Sequence, residues 1–470
     1  KMALIIKQQP LKTLTAAVSD IIFSVKDAQV VGGTPTVYYN IKYGAEVHIS
    51  TTTPPNTAVS DDVVGTFKVT PNNAGAGIFN LREIVQSFVK SDNLAADNAE
   101  FKTTIVSPTS LQIPIHLINK GSRNTNSIVY LIIQFFVEGS TTTNGIPSEI
   151  GSRRNSRDFT IVNGYIKHDD KLRIVNNDFG FNTDVFIPTN STKRFLTNAP
   201  TTLYAKEEDY GTVAFYRNNN DINKIRFDFY DSSGSSLGNE DISFTPGTAT
   251  GNGVFGYNSE ANRQMIFFGI YPANLRNWST TFQTIVTNQT LSYYTVKGTN
   301  AAGSTDLTET ITINKLCPNL KGFESIRICW LNQWGGWDYY TFTQKSVKSI
   351  NTSSTTFNQL EGTWNAEAYR LNSFRGGQRT FRVNAKEQIT MNTDFISEAD
   401  SVWFEDLINS PEIYVLKGFE TDETNALLNT YVEPVRLLTN TYQRKTIAND
   451  KLIQYTFQIE KSKLIRTQAV

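Results

Sequence analysis

The 470-residue chain is too long for one hydrophobic core, and at roughly 100–200 residues per domain it implies about three domains. Its 44 basic and 44 acidic side chains exclude the strongly basic character that non-specific nucleic-acid binding needs, so no nucleic-acid partner is expected. Charged residues make up only 19% of the chain, leaving a surface of neutral hydrogen-bonding groups that suits association between copies.

The start, KMALIIKQQPLKTLTAA, has an apolar run of only Ala3 to Ile6 before Lys7, so no signal peptide is expected. The longest apolar stretch, IVYLIIQFFV at 128–137, is interrupted by Gln134 and falls short of the ~18 residues of a membrane span. A soluble protein without a membrane span is expected. Residues 20–50 read as β-branched and aromatic strands around the turn VGGTPT, and TPPNTAVSDD as a polar loop. In IFNLREIVQSFVKSDN, Ile78, Leu81, Ile84, Val85 and Phe88 recur at spacings of three and four, which predicts a short amphipathic helix. Strands resume at IPIHLINKG and at NSIVYLIIQFFVEGS, whose continuous apolar character predicts a central strand covered on both faces. The stretch GSTTTNGIPSEIGSRRNSRD then reads as an exposed loop carrying Arg153, Arg154 and Arg157.

From about 200 to 315, turn spacing and alternation predict a β-sandwich: Ile225, Phe227 and Phe229 alternate with Arg226 and Asp228. Its close, LSYYTVKGTNAAGSTDLTETITINK, resembles the last hairpin of fibronectin type III or immunoglobulin-like domains. The third region opens with GFESIRICWLNQWGGWDYYTFTQKSVKSI, a predicted hairpin with Gly335–Gly336 at the turn and Asp338 pinning it through backbone N–H groups. A helix is predicted to begin near Ser397, capped by Ser397 with Asp400, and to stop at Pro411. The chain closes on strands in which Tyr455, Phe457 and Ile459 share a face. The fold expected is therefore mostly β and multi-domain: a β-rich domain over 1–200 with one helix and a long loop near 140–157; an immunoglobulin/fibronectin III-like sandwich over 201–315; and a β-rich domain over 316–470 with the aromatic hairpin and one helix.

Chemistry is sparse. His48, His116 and His168 stand apart from one another, and no metalloprotease, nucleophile-elbow, phosphate-loop or dinucleotide motif occurs, so the chain is expected not to be an enzyme and to need no cofactor, metal or catalytic residue. Cys317 and Cys329 are too few for a disulfide scaffold or a four-ligand zinc site, and the sequence leaves open whether they are bridged. A glycosidase pair among Asp338, Glu405 and Asp406 is a minor reading. The aromatic stretch has two main explanations. Trp334 and Trp337 beside the glycines can form a sugar-stacking platform, or Trp334, Trp337, Tyr339 and Tyr340 can pack in a core or subunit seam. Packing is favoured, because Tyr339 and Phe342 continue into a strand whose alternate faces need cover.

Four segments, VVGTFKVTPNNAGAGIFNLREIVQSFV, IPIHLINKG, CWLNQWGGWDYYTF and the closing VWFEDLINSPEIYVL…YVEPVRLLTNTYQRKTIANDKLIQYTFQIEKSK, resemble tail or baseplate-type virion structural proteins of tailed phages of Bacteroidetes and related marine phages. The resemblance implies a virion protein made in the host cytoplasm, assembled as a homo-oligomeric ring in the tail and touching other virion proteins. In that picture the four aromatic residues and Arg153, Arg154 and Arg157 are interface candidates. The alternatives are an adhesion protein binding host surface glycans through Trp334 and Trp337, and a capsid decoration or minor head protein.

Overall fold

The computed structural model describes residues 4–33, 36–52, 63–95, 113–171, 174–175, 177–218, 222–243, 254–255, 263–316, 322–363, 367–417, 431–443 and 453–469. The polar loop expected over 53–62 falls outside these residues, as does Cys317. The protein is mostly β, with 46% strand and 11% helix distributed over several separate sheets and short helices. Two compact units emerge: residues 1–316 together with 331–338, and residues 317–330 together with 339–470.

In the first unit, the strands Ile5–Gln8, Ile22–Lys26 and Gly77–Asn80 make a small antiparallel sheet. A second sheet orders Leu14–Ala16, Phe159–Val162, Ile128–Ser140, Tyr39–Ser50 and Val63–Val69. Their inner faces share one core, with Phe23 5.5 Å from Phe135 and 5.7 Å from Phe159 across the layers. This is sandwich packing, in which alternate residues of each strand face inward. Ile128–Ser140 is the central strand that its apolar run predicts: Tyr39–Ser50 pairs along one edge and Phe159–Val162 along the other.

The helix predicted over the stretch from Ile78 is a different object. Ile78 and Phe79 lie in the strand Gly77–Asn80, with Phe79 paired to Phe23, and the helix is only Arg82–Gln86. Of the set spaced by three and four, the N-cap Leu81 and the helical Val85 reach the core and Ile84 packs against it, while Ile78 and Phe88 are exposed; Phe79, outside that set, reaches the core from the strand.

The alternating stretch around Phe227 forms the strand Lys224–Tyr230, with Ile225, Phe227 and Phe229 fully buried. It sits in a five-stranded sheet with Thr202–Ala205, Ile311–Lys315, Tyr293–Thr299 and Ser236–Ser243, whose Tyr293–Thr299 and Ile311–Lys315 form the expected closing hairpin. A further sheet joins Thr212–Asn218, Arg263–Gly269 and Val254–Phe255 to Gly121–Arg123. Gly121–Arg123 comes from the segment expected to be a separate N-terminal domain, so the boundary drawn at residue 200 is crossed by strand pairing and residues 1–316 cluster together.

The second unit holds an antiparallel sheet ordered Trp337–Phe342, Ile326–Leu331, Ile413–Leu416, Val432–Leu437, Thr456–Lys461, Gly377–Asn392 and Val347–Gln359, with Arg466–Ala469 also on Gly377–Asn392. Short helices Glu398–Ser401 and Trp403–Asn409 supply Trp403 and Phe404 to its aromatic core, where Trp330 lies 5.1 Å from Trp403 and Phe457 lies 5.6 Å from Phe404. Ser397 Oγ accepts from the Asp400 backbone N–H at 3.1 Å, the cap its sequence predicts.

Candidate functional site

The aromatic hairpin turns at Asn332–Gly336. Asn332 Oδ1 accepts from the backbone N–H groups of Trp334 (2.9 Å) and Gly336 (3.0 Å), and Gly335 N–H donates to Asn332 O. Asn332 therefore pins the turn by the Asx geometry that short amides favour, and not Asp338 as expected. The Asp338 carboxylate is occupied instead by Thr197 Oγ1 (2.6 Å) and Asn332 Nδ2 (2.9 Å). Gly335 adopts φ +80°, and a Cβ there would stand 2.5 Å from Asn163 O. The glycine pair is thus required for backbone conformation and for close approach of two chain segments.

The tip residues belong to the first unit, and their rings are consumed there. Trp334 is 3% exposed; its indole N–H donates to Asn198 Oδ1 at 3.1 Å and its ring lies 4.6 Å from Phe186. Trp337 is 1% exposed; its indole N–H donates to Asp92 O at 2.9 Å and its ring meets His116 edge-on at 4.8 Å. Within the second unit, Tyr339 lies under the Arg327 guanidinium. There too the Tyr340 hydroxyl accepts from Asp394 N–H at 3.0 Å, and burial pushes its phenol up to about 12. Trp334, Trp337 and Tyr339 are too enclosed to stack on a glycan or reach a neighbouring subunit, which corrects the expectation for these three, while Tyr340 is half-buried. Of the two explanations, packing inside the chain is the one the geometry realises.

Asp92 anchors this region. Its carboxylate accepts from the N–H groups of Thr125, Asn126 and Ser127 and from the hydroxyls of Thr125 and Ser127. No sequence signal marked it, because its partners lie more than thirty residues away.

The arginine loop is also turned inward chemically. It forms the short strands Ser148–Glu149 and Arg154–Asn155 on the edge of Ile128–Ser140. The Arg153 guanidinium takes both Glu149 oxygens, at 3.0 and 3.1 Å, contacts Glu46 and Gln134, and stacks over Phe136. The hydrogen bond to Glu149 raises its pKa above the ordinary arginine value. Arg157 binds Asp178 at 2.7 Å and Pro10 O at 2.6 Å, and Arg154 is solvent-exposed. Two of the three arginines are therefore intramolecular fasteners.

Of the histidines, His48 is buried in the strand Tyr39–Ser50 with Nε2 3.1 Å from Glu46, and His168 is exposed in the short helix His168–Lys171. His116, expected in a strand, sits in the 3₁₀ turn Ile115–Leu117. Cys329 is a buried thiol whose pKa burial pushes upward. Among the described residues no group of three or more His, Cys, Asp or Glu side chains is placed to hold a metal, and no helix is long and apolar enough to cross a membrane.

One exposed surface among the described residues is a hairpin arm. The strand Val347–Gln359 is exposed at every position but the last, and its partner Gly377–Asn392 is exposed from Gly377 through Arg382. A third strand covers the arm's base, since Arg466–Ala469 pairs with Arg382–Ala385 and Thr456–Lys461 with Gln388–Asn392. Beyond Arg382 two strands stand alone among the described residues, and in the loop between them Leu371 is 72% and Phe374 68% exposed.

Comparisons with known proteins leave the chain without a family. No family model and no curated protein matches it. Among solved structures, the alpha-2-macroglobulin of E. coli aligns at TM-score 0.18 and 8% identity, covering 84% of this chain and 22% of that one. A variant of the Salmonella alpha-2-macroglobulin aligns at TM-score 0.18 and 8% identity, covering all of this chain and 31% of that one. The chain thus spans less than a third of the length of either, and similarity at that level carries no argument.

Proposed function

We propose that the chain is a non-enzymatic virion structural protein, a tail or baseplate component of a tailed phage that assembles as a homo-oligomeric ring and contacts other virion proteins. The observation that supports this reading is the hairpin arm. A two-stranded hairpin is marginal in water by itself, and large exposed side chains such as Ile350, Leu371 and Phe374 mark a surface meant for cover. The neutral, Ser-, Thr- and Asn-rich composition and the segments resembling phage tail proteins point the same way. Quantitative mass spectrometry of purified particles whose genome encodes the chain tests it. A tail ring predicts about a dozen or fewer copies per particle; hundreds indicate head decoration, and absence from the particle defeats the reading.

A further inference from the structure

We propose that the hairpin arm is the grip between neighbouring copies, seated outside the arm of a second copy of this chain. The inference rests on the ring-subunit reading and names the contact that builds the ring.

Area is the first argument. The outer strand is thirteen residues long, but its partner is free of a third strand only from Gly377 through Arg382, so at ~3.3 Å per residue the two-stranded part is about 20 Å long and about 10 Å wide, and its two faces offer on the order of 400 Å². The remaining exposed length of Val347–Gln359 and the loop carrying Leu371 and Phe374 add to this, toward the roughly 800 Å² each partner gives to a stable interface. The large side chains that such burial needs are concentrated at the distal end, where Phe357 meets Phe381 edge-on at 6.4 Å on one face of the ribbon.

Charge selects the partner. The hairpin Val347–Asn392 contains six basic and three acidic residues, so in a chain with 44 of each the remainder carries an excess of three acidic residues. On the distal arm Arg370, Arg375, Arg379 and Arg382 form no ion pair among the described residues, whereas Lys348 and Lys386 nearer the base pair with Glu324 and Glu460. Every copy therefore carries a net +3 on the arm and a net −3 over the rest of the chain, which disfavours arm-to-arm contact and favours a head-to-tail one. A heterologous contact of this kind closes into a ring when its rotation permits.

The outer strand adds a means of docking. Among the described residues nothing pairs with the free edge of Val347–Gln359, and the guards that usually protect an edge are thin there, since Lys348 is its only charge and it has no proline.

The test uses the full chain and two variants. One carries Arg370→Glu, Arg375→Glu, Arg379→Glu and Arg382→Glu; the other replaces residues 360–376 by Asn-Gly. Light scattering and sedimentation are run at about 50 mM and about 500 mM NaCl, salt concentrations that span strong and weak screening. The expected result is a discrete oligomer of the unaltered chain, loosened at least tenfold by the higher salt. Both variants should stay monomeric at the same protein concentration, with unchanged circular dichroism showing that they fold. A photo-crosslinker at Phe374 should capture the body of another copy. The proposal is overturned if the unaltered chain is monomeric at every concentration, if either variant assembles like it, if Phe374 crosslinks only arm to arm, or if the arm instead retains a polyanion such as heparin without self-association. Particle stoichiometry is read separately, so a failed grip leaves the virion reading standing.

Discussion

At the scale of single residues, the tip of the aromatic hairpin turns on what a methyl group would meet. A Cβ at Gly335 has to accept φ +80° and a 2.5 Å approach to Asn163 O, a backbone atom that cannot swing aside. At Gly336 the nearest atoms are Leu196 O at 3.0 Å and Ala214 Cβ at 3.1 Å, close contacts that a few tenths of an ångström relieve. Gly335→Ala is therefore expected to destabilise the first unit by about 2–4 kcal/mol and Gly336→Ala by about 1 kcal/mol. Urea unfolding followed by tryptophan fluorescence reports the difference, because Trp334 and Trp337 are buried beside the turn. Equal costs at the two positions would show that crowding, and not backbone conformation, limits the site. The presence of the turn was legible in the sequence from the glycine pair alone. Which side chain pins it was not, because Asn332 and Asp338 are both competent acceptors and only the positions of Thr197 and Asn163 decide between them.

At the scale of elements, a stretch of sequence declares itself when one face is buried and the other is not. Lys224–Tyr230 alternates apolar and charged side chains because it has a core on one side, and its reading as a strand needed no partner information. Gly77–Asn80 misled because its exposed Ile78 falls by accident three residues before the buried Leu81, on a period close to that of a helix. The arm was invisible for the opposite reason: with both faces in solvent, INTSSTTFNQ has no burial pattern to read, although its β-branched residues favour a strand. The same absence of a packed face sets its dynamics. In dilute, dissociated protein, amides of Thr356–Gln359 and Gly377–Thr380 should exchange with deuterium at least tenfold faster than those of Gln388–Asn392. The latter lie between Val347–Gln359 and Thr456–Lys461, and Glu460 ties Lys386 Nζ at 2.9 Å and Arg436 Nη2 at 3.1 Å across neighbouring strands. Uniform protection along the arm under those conditions would mean that the two-stranded part is stable without cover, which removes the physical reason for a partner.

For the molecule as a whole, a net charge of zero and a pI near 7.0 invite the expectation that stability peaks at neutrality, but linkage depends on shifted groups and not on the pI. On the acid side, the hydrogen bond from Lys386 holds the Glu460 carboxyl below the usual range. A depressed carboxylate contributes stability that is present above its unfolded value of about 4.3 and is lost as pH falls through the folded value. Glu309 opposes this, because burial raises it despite Arg194. On the alkaline side, burial pushes Tyr130 and Tyr340 up to about 12 and Tyr216 higher still. A raised phenol contributes stability that is fully present below its unfolded value of about 10 and is lost as pH rises through about 12. Tyr130 and Tyr216 belong to the first unit and Tyr340 to the second, so alkaline loss should strike both units in one window. The expected profile of melting temperature against pH is a plateau from about 5 to about 10 with a steeper fall on the alkaline side, measured by calorimetry at constant ionic strength. Absorbance at the tyrosinate band should show part of the 20 tyrosines ionising only as the melting temperature collapses. A sharp maximum near pH 7, or complete tyrosine ionisation before any loss of stability, would contradict the assignment of these buried phenols as the alkaline limit.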